Sequence, residues 1–287
     1  MIGILGAQLR ALGHQAVWDV KQRDKMVGRE AGINVLVEGF TKNSISVIAA
    51  MHAQGARFLI LATEEPTEKG FNHGTQKEMI KRQEIFPEAA KFAEGILHLV
   101  PGENVTRWYA QFAPAAYAEL GYAPSLVRPR SLVEPEYTFG FYGSYTKRRA
   151  KILKRLAKLT NKEKAIKLMV DFKSQEERDL AMRQAKVIVQ IRKFEEMGLV
   201  SSSRCNTALC LGRPVVAEPH LLSKPWDEVV TFTDSTEAFL NTAMITSAAW
   251  KGVHAAQMEK FKAKLNPEYC VGAPLRSIGI TDERLAA

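Results

Sequence analysis

Two segments of this sequence combine glycine turns, hydroxyls and cations at spacings that suit an anionic ligand. The first is Phe139-Gly140-Phe141-Tyr142-Gly143-Ser144-Tyr145-Thr146-Lys147-Arg148-Arg149. It reads as strand, glycine turn and helix start. Gly143 lets the backbone approach a ligand closely, and the N–H groups that open a helix bind anions. Lys147, Arg148 and Arg149 stand in the first helical turn, where the macrodipole disfavours cations by about 0.3 kcal/mol or more each. A bound phosphate would reverse that penalty.

The second segment runs from Ile191 to Arg204, IRKFEEMGLVSSSR. Ser201 is a good N-cap, and the backbone N–H groups of Ser202 and Ser203 would open the next helix. That helix should stop at Gly212, with Pro214 following. A helix start, three hydroxyls and the cations Arg192, Lys193 and Arg204 thus converge near Glu195 and Glu196. The set suits a sugar diphosphate, with N–H groups and guanidinium for the phosphates and a carboxylate for sugar or ribose hydroxyls.

A third segment, Leu61-Ala62-Thr63-Glu64-Glu65-Pro66-Thr67, ends an apolar run. Glu64 and Glu65 there, and Glu38 at the end of another run, are candidates for a base that takes a proton from an acceptor hydroxyl. His73, on a glycine-flanked loop, could reach the same place. His14 reads as a turn residue, His98 as a strand packing residue, and Cys205 and Cys210 as helix packing.

These residues need strand ends to present them. Strand-like runs occur at 16–20, 33–38, 57–62 and 95–100, with helical stretches at 7–15, 44–54 and 76–94. Residues 126–138 hold Pro129 and Pro135 and no helical period. The alternation then restarts, with strands at 138–142, 165–170, 187–191, 214–217 and 229–232 and helices at 146–159, 176–184, 202–211 and 236–265. Continuous apolar strands separated by helices predict parallel sheets covered on both faces. The fold class expected is therefore α/β, with two Rossmann-like doubly wound domains facing across a cleft. The expected bounds are a first domain over 1–127, a linker over 128–137, a second domain over 138–265 and a tail over 266–287. Ligands in such sheets sit outside the carboxyl ends of the strands.

The 287 residues carry 40 Lys+Arg against 31 Asp+Glu, a formal charge of +9. That balance favours anionic partners. Much of it lies in a basic tract from Lys147 to Lys167, with Arg107, Trp108, Tyr109, Arg128 and Arg130 adding basic and aromatic groups earlier. Such a tract is a solvated helix face or a track for nucleic-acid phosphates or an anionic membrane. No apolar run is long enough to span a membrane and no secretory signal is evident. Three cysteines without metal-ligand spacing fit a reducing, cytoplasmic setting.

The C-terminal half resembles the donor-binding domain of GT-B glycosyltransferases, and within those the CgeB-like, group 1 type. The matching stretches are FGFYGSYTKRR (139–149), VIVQIRKFEEMGLVSSSR (187–204) and NTALCLGRPVVAE (206–218), with LGH (12–14) a looser match in the first half. Arg204, Gly212, Val215, Val216 and Glu218 fit the family pattern. The resemblance implies a hexosyltransferase-like enzyme that moves a sugar from a nucleotide-sugar donor to a hydroxyl acceptor. The co-substrate would be a UDP-linked sugar, with no other cofactor. Donor contacts would come from Gly143, Ser144, Arg148, Arg192, Lys193, Glu195, Ser202, Ser203 and Arg204, and the base from Glu38, Glu64 or Glu65. The absence of an Asp-x-Asp pair fits a metal-independent mechanism. Two departures stand out. Thr207 occupies the position of the family's second acid, and the usual first strand is missing or reduced to residues 1–5. The acceptor is open: a sugar, lipid or protein hydroxyl, or a hydroxymethylated base in DNA, as for phage enzymes. A non-catalytic nucleotide-sugar or nucleic-acid binding protein is the rival of another class.

Overall fold

A computed structural model describes the backbone of residues 1–16, 32–73, 77–128, 134–160, 164–169, 172, 174–193, 195, 198–220 and 223–281. The expected strand at 16–20 beyond Ala16, Pro129 and Arg130, Val170, Glu196, Gly74 and the His73 side chain lie outside the described part. The chain divides into two compact units, one formed by residues 4–119 with 267 onward and the other by residues 120–266. The divisions thus fall after Glu119 and after Asn266.

The first unit opens with α1 (Ile2–Ala11), whose Ile4, Leu5, Ala7 and Gln8 are buried. The residues expected as a reduced first strand are therefore helical: the apolar positions recur at helical rather than alternating spacing. Next come β1 (Ile33–Val37), α2 (Lys42–Ala53), β2 (Arg57–Ala62), α3 (Lys77–Ala90), β3 (Ala93–His98), α4 (Glu103–Tyr109) and β4 (Ala115–Tyr117). Thr41 and Ser44 form a reciprocal capping box at the start of α2. The four strands pair in parallel, in the order β1-β2-β3-β4. The β2 run Phe58 to Ala62 is buried throughout, as a strand covered on both faces must be.

The second unit contains β5 (Tyr137–Tyr142), α5 (Lys147–Thr160), β6 (Ile166–Met169), α6 (Gln175–Arg183), β7 (Ala185–Gln190), α7 (Ser202–Cys210), β8 (Val215–Ala217), β9 (Thr231–Phe232), α8 (Thr236–Ala248) and α9 (Trp250–Lys264). Its parallel sheet has the order β6-β5-β7-β8-β9. One core joins Phe139, Phe141, Val187, Val189 and Val216 of the strands to Ile152, Leu153 and Leu156 of α5 and Phe239 of α8. The single helix expected over 236–265 is two, broken at Ala249 (φ −112°, ψ 24°).

The residues expected as a tail are structured. Glu268–Gly272 form a π-helical turn and α10 (Ala273–Ser277) follows. The Glu119 N–H donates to the Cys270 carbonyl at 3.0 Å. A side chain on Gly95 of β3 would meet Ile278 Cδ1 at 2.6 Å, so Ile278 packs directly on the strand backbone.

Candidate functional site

In the second unit the strand order places the first strand, β5, between β6 and β7. The topological switch point therefore lies between β5 and β7, and a ligand is expected beyond their carboxyl ends. Residues after Tyr142 and after Gln190 meet there.

Gly143 follows β5 at φ 135°, a backbone state that L side chains rarely adopt. Arg204, in the first turn of α7, lies against it: a Cβ on Gly143 would sit 3.2 Å from the Arg204 guanidinium carbon. The same guanidinium is 5.8 Å from the Tyr142 ring centroid and donates to Gln190 Oε1 at 3.3 Å. No carboxylate pairs with Arg204 among the described residues. Burial holds its pKa below the ordinary arginine value.

Three further arginines surround this point. Arg149 is 2% exposed, and its Nε donates to the Ile191 carbonyl at 2.9 Å. Its Nη1 donates to the Ser144 carbonyl (2.9 Å) and Ser144 Oγ (3.1 Å), which ties the loop after β5 to the end of β7. Burial, then the charges of Arg204 and Arg148, lower its pKa to about 10. Arg148 forms a two-pronged pair with Glu218, which is fully buried, and donates to the Arg192 carbonyl at 3.0 Å. The hydrogen bond that Arg148 donates to Glu218 holds the Arg148 pKa above the ordinary value. The Arg192 N–H also donates to Glu218, at 2.8 Å, and its guanidinium reaches the Glu195 carbonyl at 2.6 Å. Glu195 and Lys193 are exposed, with Glu195 Oε1 3.9 Å from Arg148 Nε.

The cluster therefore sets four guanidinium groups against one buried carboxylate and one exposed one. Three of its donors, Arg148 Nε, Arg192 Nε and Gln190 Nε2, are buried without a hydrogen-bond acceptor. A buried donor left unmade costs about 1–3 kcal/mol. An anion seated here would serve these donors and the Arg204 charge together.

At the start of α7 the cap residue Ser201 makes no side-chain capping bond. The Ser202 hydroxyl is engaged by Trp226 Nε1 at 3.1 Å, so Ser202 would offer its N–H rather than its hydroxyl. Thr207 donates to the Ser203 carbonyl at 2.7 Å, within its own helix. Gln190 and His220 were not among the residues singled out from the sequence. His220 Nδ1 lies 2.6 Å from the Glu218 carbonyl, and burial lowers its pKa, with the Arg192 and Arg204 charges adding to the effect. A glutamine ending a strand carries no local signal; only the strand order reveals its place. Cys205 and Cys210 are buried packing residues.

In the first unit Glu38, Glu64 and His98 gather at the carboxyl ends of β1, β2 and β3. Glu38 Oε2 accepts the N–H groups of Thr63 (2.7 Å) and Glu64 (3.0 Å). Burial raises its pKa to about 7 against the opposing pull of those bonds. Glu64 pairs with Arg82 at 2.9 Å and accepts from Asn72 Nδ2. Tyr109 donates to the Glu64 carbonyl at 2.7 Å and stacks on His98. His98 is fully buried between the Val100 carbonyl and the Thr106 hydroxyl, and burial lowers its pKa to about 4. Glu65 is partly buried beside this network, its N–H donating to Asn72 Oδ1 at 2.8 Å. Among the described residues no group of three or more His, Cys, Asp or Glu is placed to hold a metal ion.

No protein-family model matches the chain. No curated protein matches it by sequence. Solved structures do match. The alpha-glucosyltransferase (AGT) in complex with UDP aligns at a TM-score of 0.58 and 9% identity, covering 86% of this chain and 80% of that one. The alpha-glucosyltransferase bound to UDP and a 13-mer DNA with a central A:G mismatch aligns at 0.57, with 9% identity and the same coverage. TarM aligns at 0.57 and 11% identity over 86% of this chain but 54% of its own, so the chain spans about half the length of TarM. The fold is that of the GT-B glycosyltransferases: two parallel α/β sheets, as the resemblance implied. No helix among the described residues is long and apolar enough to cross a membrane.

Proposed function

We propose that the protein is a glycosyltransferase that takes a hexosyl group from a UDP-linked sugar and gives it to a hydroxyl acceptor. The observation that carries this reading is Arg204: a cation without a carboxylate partner among the described residues, held against Gly143 at the switch point of the second sheet. The diphosphate would lie over Gly143 and Ser144. Arg204 and the N–H groups of Ser202 and Ser203 would take its charge, with Arg192 and Lys193 at the rim. These fixed donors would stabilise the departing UDP without a metal ion. Arg148 and Arg149 hold the shape of the site through Glu218, Ser144 and Ile191. The candidates for the base that takes the proton of the acceptor hydroxyl are Glu38, Glu64 and Glu65. Single Gln variants assayed for transfer with nucleotide binding intact separate the three.

A thermal-shift series with UDP, GDP, CMP and TDP tests the donor site. UDP at about a hundred times its dissociation constant adds roughly 2.7 kcal/mol. The shift should appear with UDP and vanish in Arg204→Ala. An equal shift in that variant would remove the donor assignment. Transfer that persists in EDTA supports the metal-free reading.

The acceptor we favour is DNA. Support comes from the net charge of +9 and from a fold neighbour whose structure holds DNA beside UDP. Transfer of labelled sugar to hydroxymethylated duplex DNA, and none to unmodified duplex, is the expected result.

A further inference from the structure

The helix that follows Gly143 carries a feature that donor binding does not use. α5 reads KRRAKILKRLAKLT, with seven cations and no carboxylate. Lys147, Lys151, Lys154 and Lys158 are all exposed, and their spacing of four, three and four residues puts them on one line along the helix. The opposite face, with Ile152, Leu153 and Leu156, is buried in the core.

Among the described residues no carboxylate pairs with any of these four lysines. The neighbouring Arg155 is engaged by Glu237 of α8 at 2.7 Å. Lysines one turn apart repel, and Lys147 also opposes the helix dipole. The helix is thus held by its buried face while its outer face carries uncompensated charge. The line begins four residues beyond Gly143 and rises over eleven residues, about 16 Å.

We propose that this lysine line is the docking surface for the backbone of duplex DNA. The proposal rests on the reading of DNA as acceptor and deepens it by saying where the duplex lies on this unit. Duplex DNA carries one charge per about 1.7 Å of axis, so a line of this length spans about ten phosphate charges. A duplex along it would run up to the arginine cluster. A lipid surface fits less well, because a helix that binds in the membrane interface buries its apolar face in lipid. Here that face is already committed to the core.

The test uses the full chain and a fluorescent, unmodified duplex of mixed sequence, with affinity followed from low to high NaCl. The variant combines Lys151→Ala, Lys154→Ala and Lys158→Ala; alanine favours the helix, so the fold should persist. A control combines Lys251→Ala, Lys260→Ala and Lys262→Ala in α9, which removes equal charge elsewhere. The α5 variant should bind at least tenfold more weakly at low salt. Its slope of log K against log salt should fall by between about two and three, near 0.9 per lost phosphate contact. The control should keep most of the wild-type slope, and the UDP-induced thermal shift should be unchanged in both. A wild-type slope in the α5 variant, or an equal loss in the control, overturns the surface and leaves DNA as acceptor standing. Absence of wild-type binding at low salt overturns both, while the UDP shift reports separately on the donor site. Binding to phosphatidylserine vesicles without binding to DNA overturns the proposal in favour of a membrane.

Discussion

The Arg204 guanidinium carbon lies 3.2 Å from where the Cβ of any residue but glycine at 143 would stand, a contact tighter than side chains ordinarily make. Two constraints therefore meet at Gly143: a φ of 135° and the seat of the arginine. Gly143→Ala should destabilise the fold by roughly 1–3 kcal/mol through backbone strain. It should also push Arg204 away and weaken UDP binding by more than tenfold. Urea melts and UDP titrations check the two effects. Unchanged UDP affinity in a destabilised variant would separate Gly143 from the donor site.

Glu218 ties together Arg148, the Arg192 backbone and, through its carbonyl, His220. Removing one partner of a buried pair leaves the other uncompensated and costs about 3–5 kcal/mol. Arg148 retains some solvent contact, so Glu218→Gln should lie near the low end. Denaturant unfolding measures this, and a loss under about 1 kcal/mol would show the pair to be incidental.

Gln190 accepts from Arg204 through Oε1 while its Nε2 is buried without an acceptor. Gln190→Glu would replace the unmade donor by a carboxylate and give Arg204 a counterion at the same distance. The expected outcome has two parts: a higher melting temperature without ligand and a smaller shift with UDP. A variant that gains stability and keeps the full UDP shift would place the diphosphate elsewhere.

Glu38 and His98 should make opposing contributions to stability as pH changes. Glu38 is faced by the Thr63 and Glu64 N–H groups, Tyr109, Glu64 and Arg82, and its folded pKa of about 7 lies above the ordinary 4.5. The folded state holds that proton more tightly, so this contribution is present at low pH and fades as pH rises from about 4.5 to 7. His98 is faced by the Val100 carbonyl, Thr106, Tyr109 and Tyr117, and its folded pKa of about 4 lies below 6.5. Its contribution is present above about 6.5 and is lost as pH falls toward 4. Each slope is about 1.4 kcal/mol per pH unit, so the two nearly cancel between about 4.5 and 6.5. Glu38→Gln should unmask the His98 slope, a loss of roughly 2–3 kcal/mol on going from pH 6.5 to 4.5. Parallel profiles for wild type and variant would contradict this balance.

The longer strands could be read from composition because each carries a largely apolar run: β2, β3, β5 and β7 hold four or more consecutive buried residues, while β1 is an apolar run that is only half-buried. β2 lies where expected, and β1, β3, β5 and β7 lie within two residues or so. The short strand β4, Ala-Ala-Tyr, offers no such run, and α4 is only seven residues long. The break at Ala249 falls on no glycine or proline, the usual punctuation; the nearest glycine, Gly252, lies within the helix that follows. In the site, Gly143, Arg148, Arg192 and Arg204 could be chosen because turn chemistry and charge mark them. The distinction between a scaffold arginine such as Arg149 and an arginine such as Arg204 lies in their partners: Arg149 donates to the Ile191 carbonyl and to Ser144, whereas Arg204 meets only the neutral Gln190 oxygen and no carboxylate among the described residues. No spacing encodes that. Glu38 reads as a candidate base by its position at a strand end; that its Oε2 also accepts the N–H groups of Thr63 and Glu64 after β2 has no local signal in the sequence.

The first unit is closed by residues that lie beyond the second in the chain, with Cys270 and Ile278 packing against Glu119 and Gly95. During synthesis the second unit can therefore finish folding once Asn266 has left the ribosome, whereas the first must wait for its last helix. The usual order, in which the N-terminal part matures first, would be inverted. A stop codon just after Asn266 would strip the finishing layer from the sheet that was made earliest.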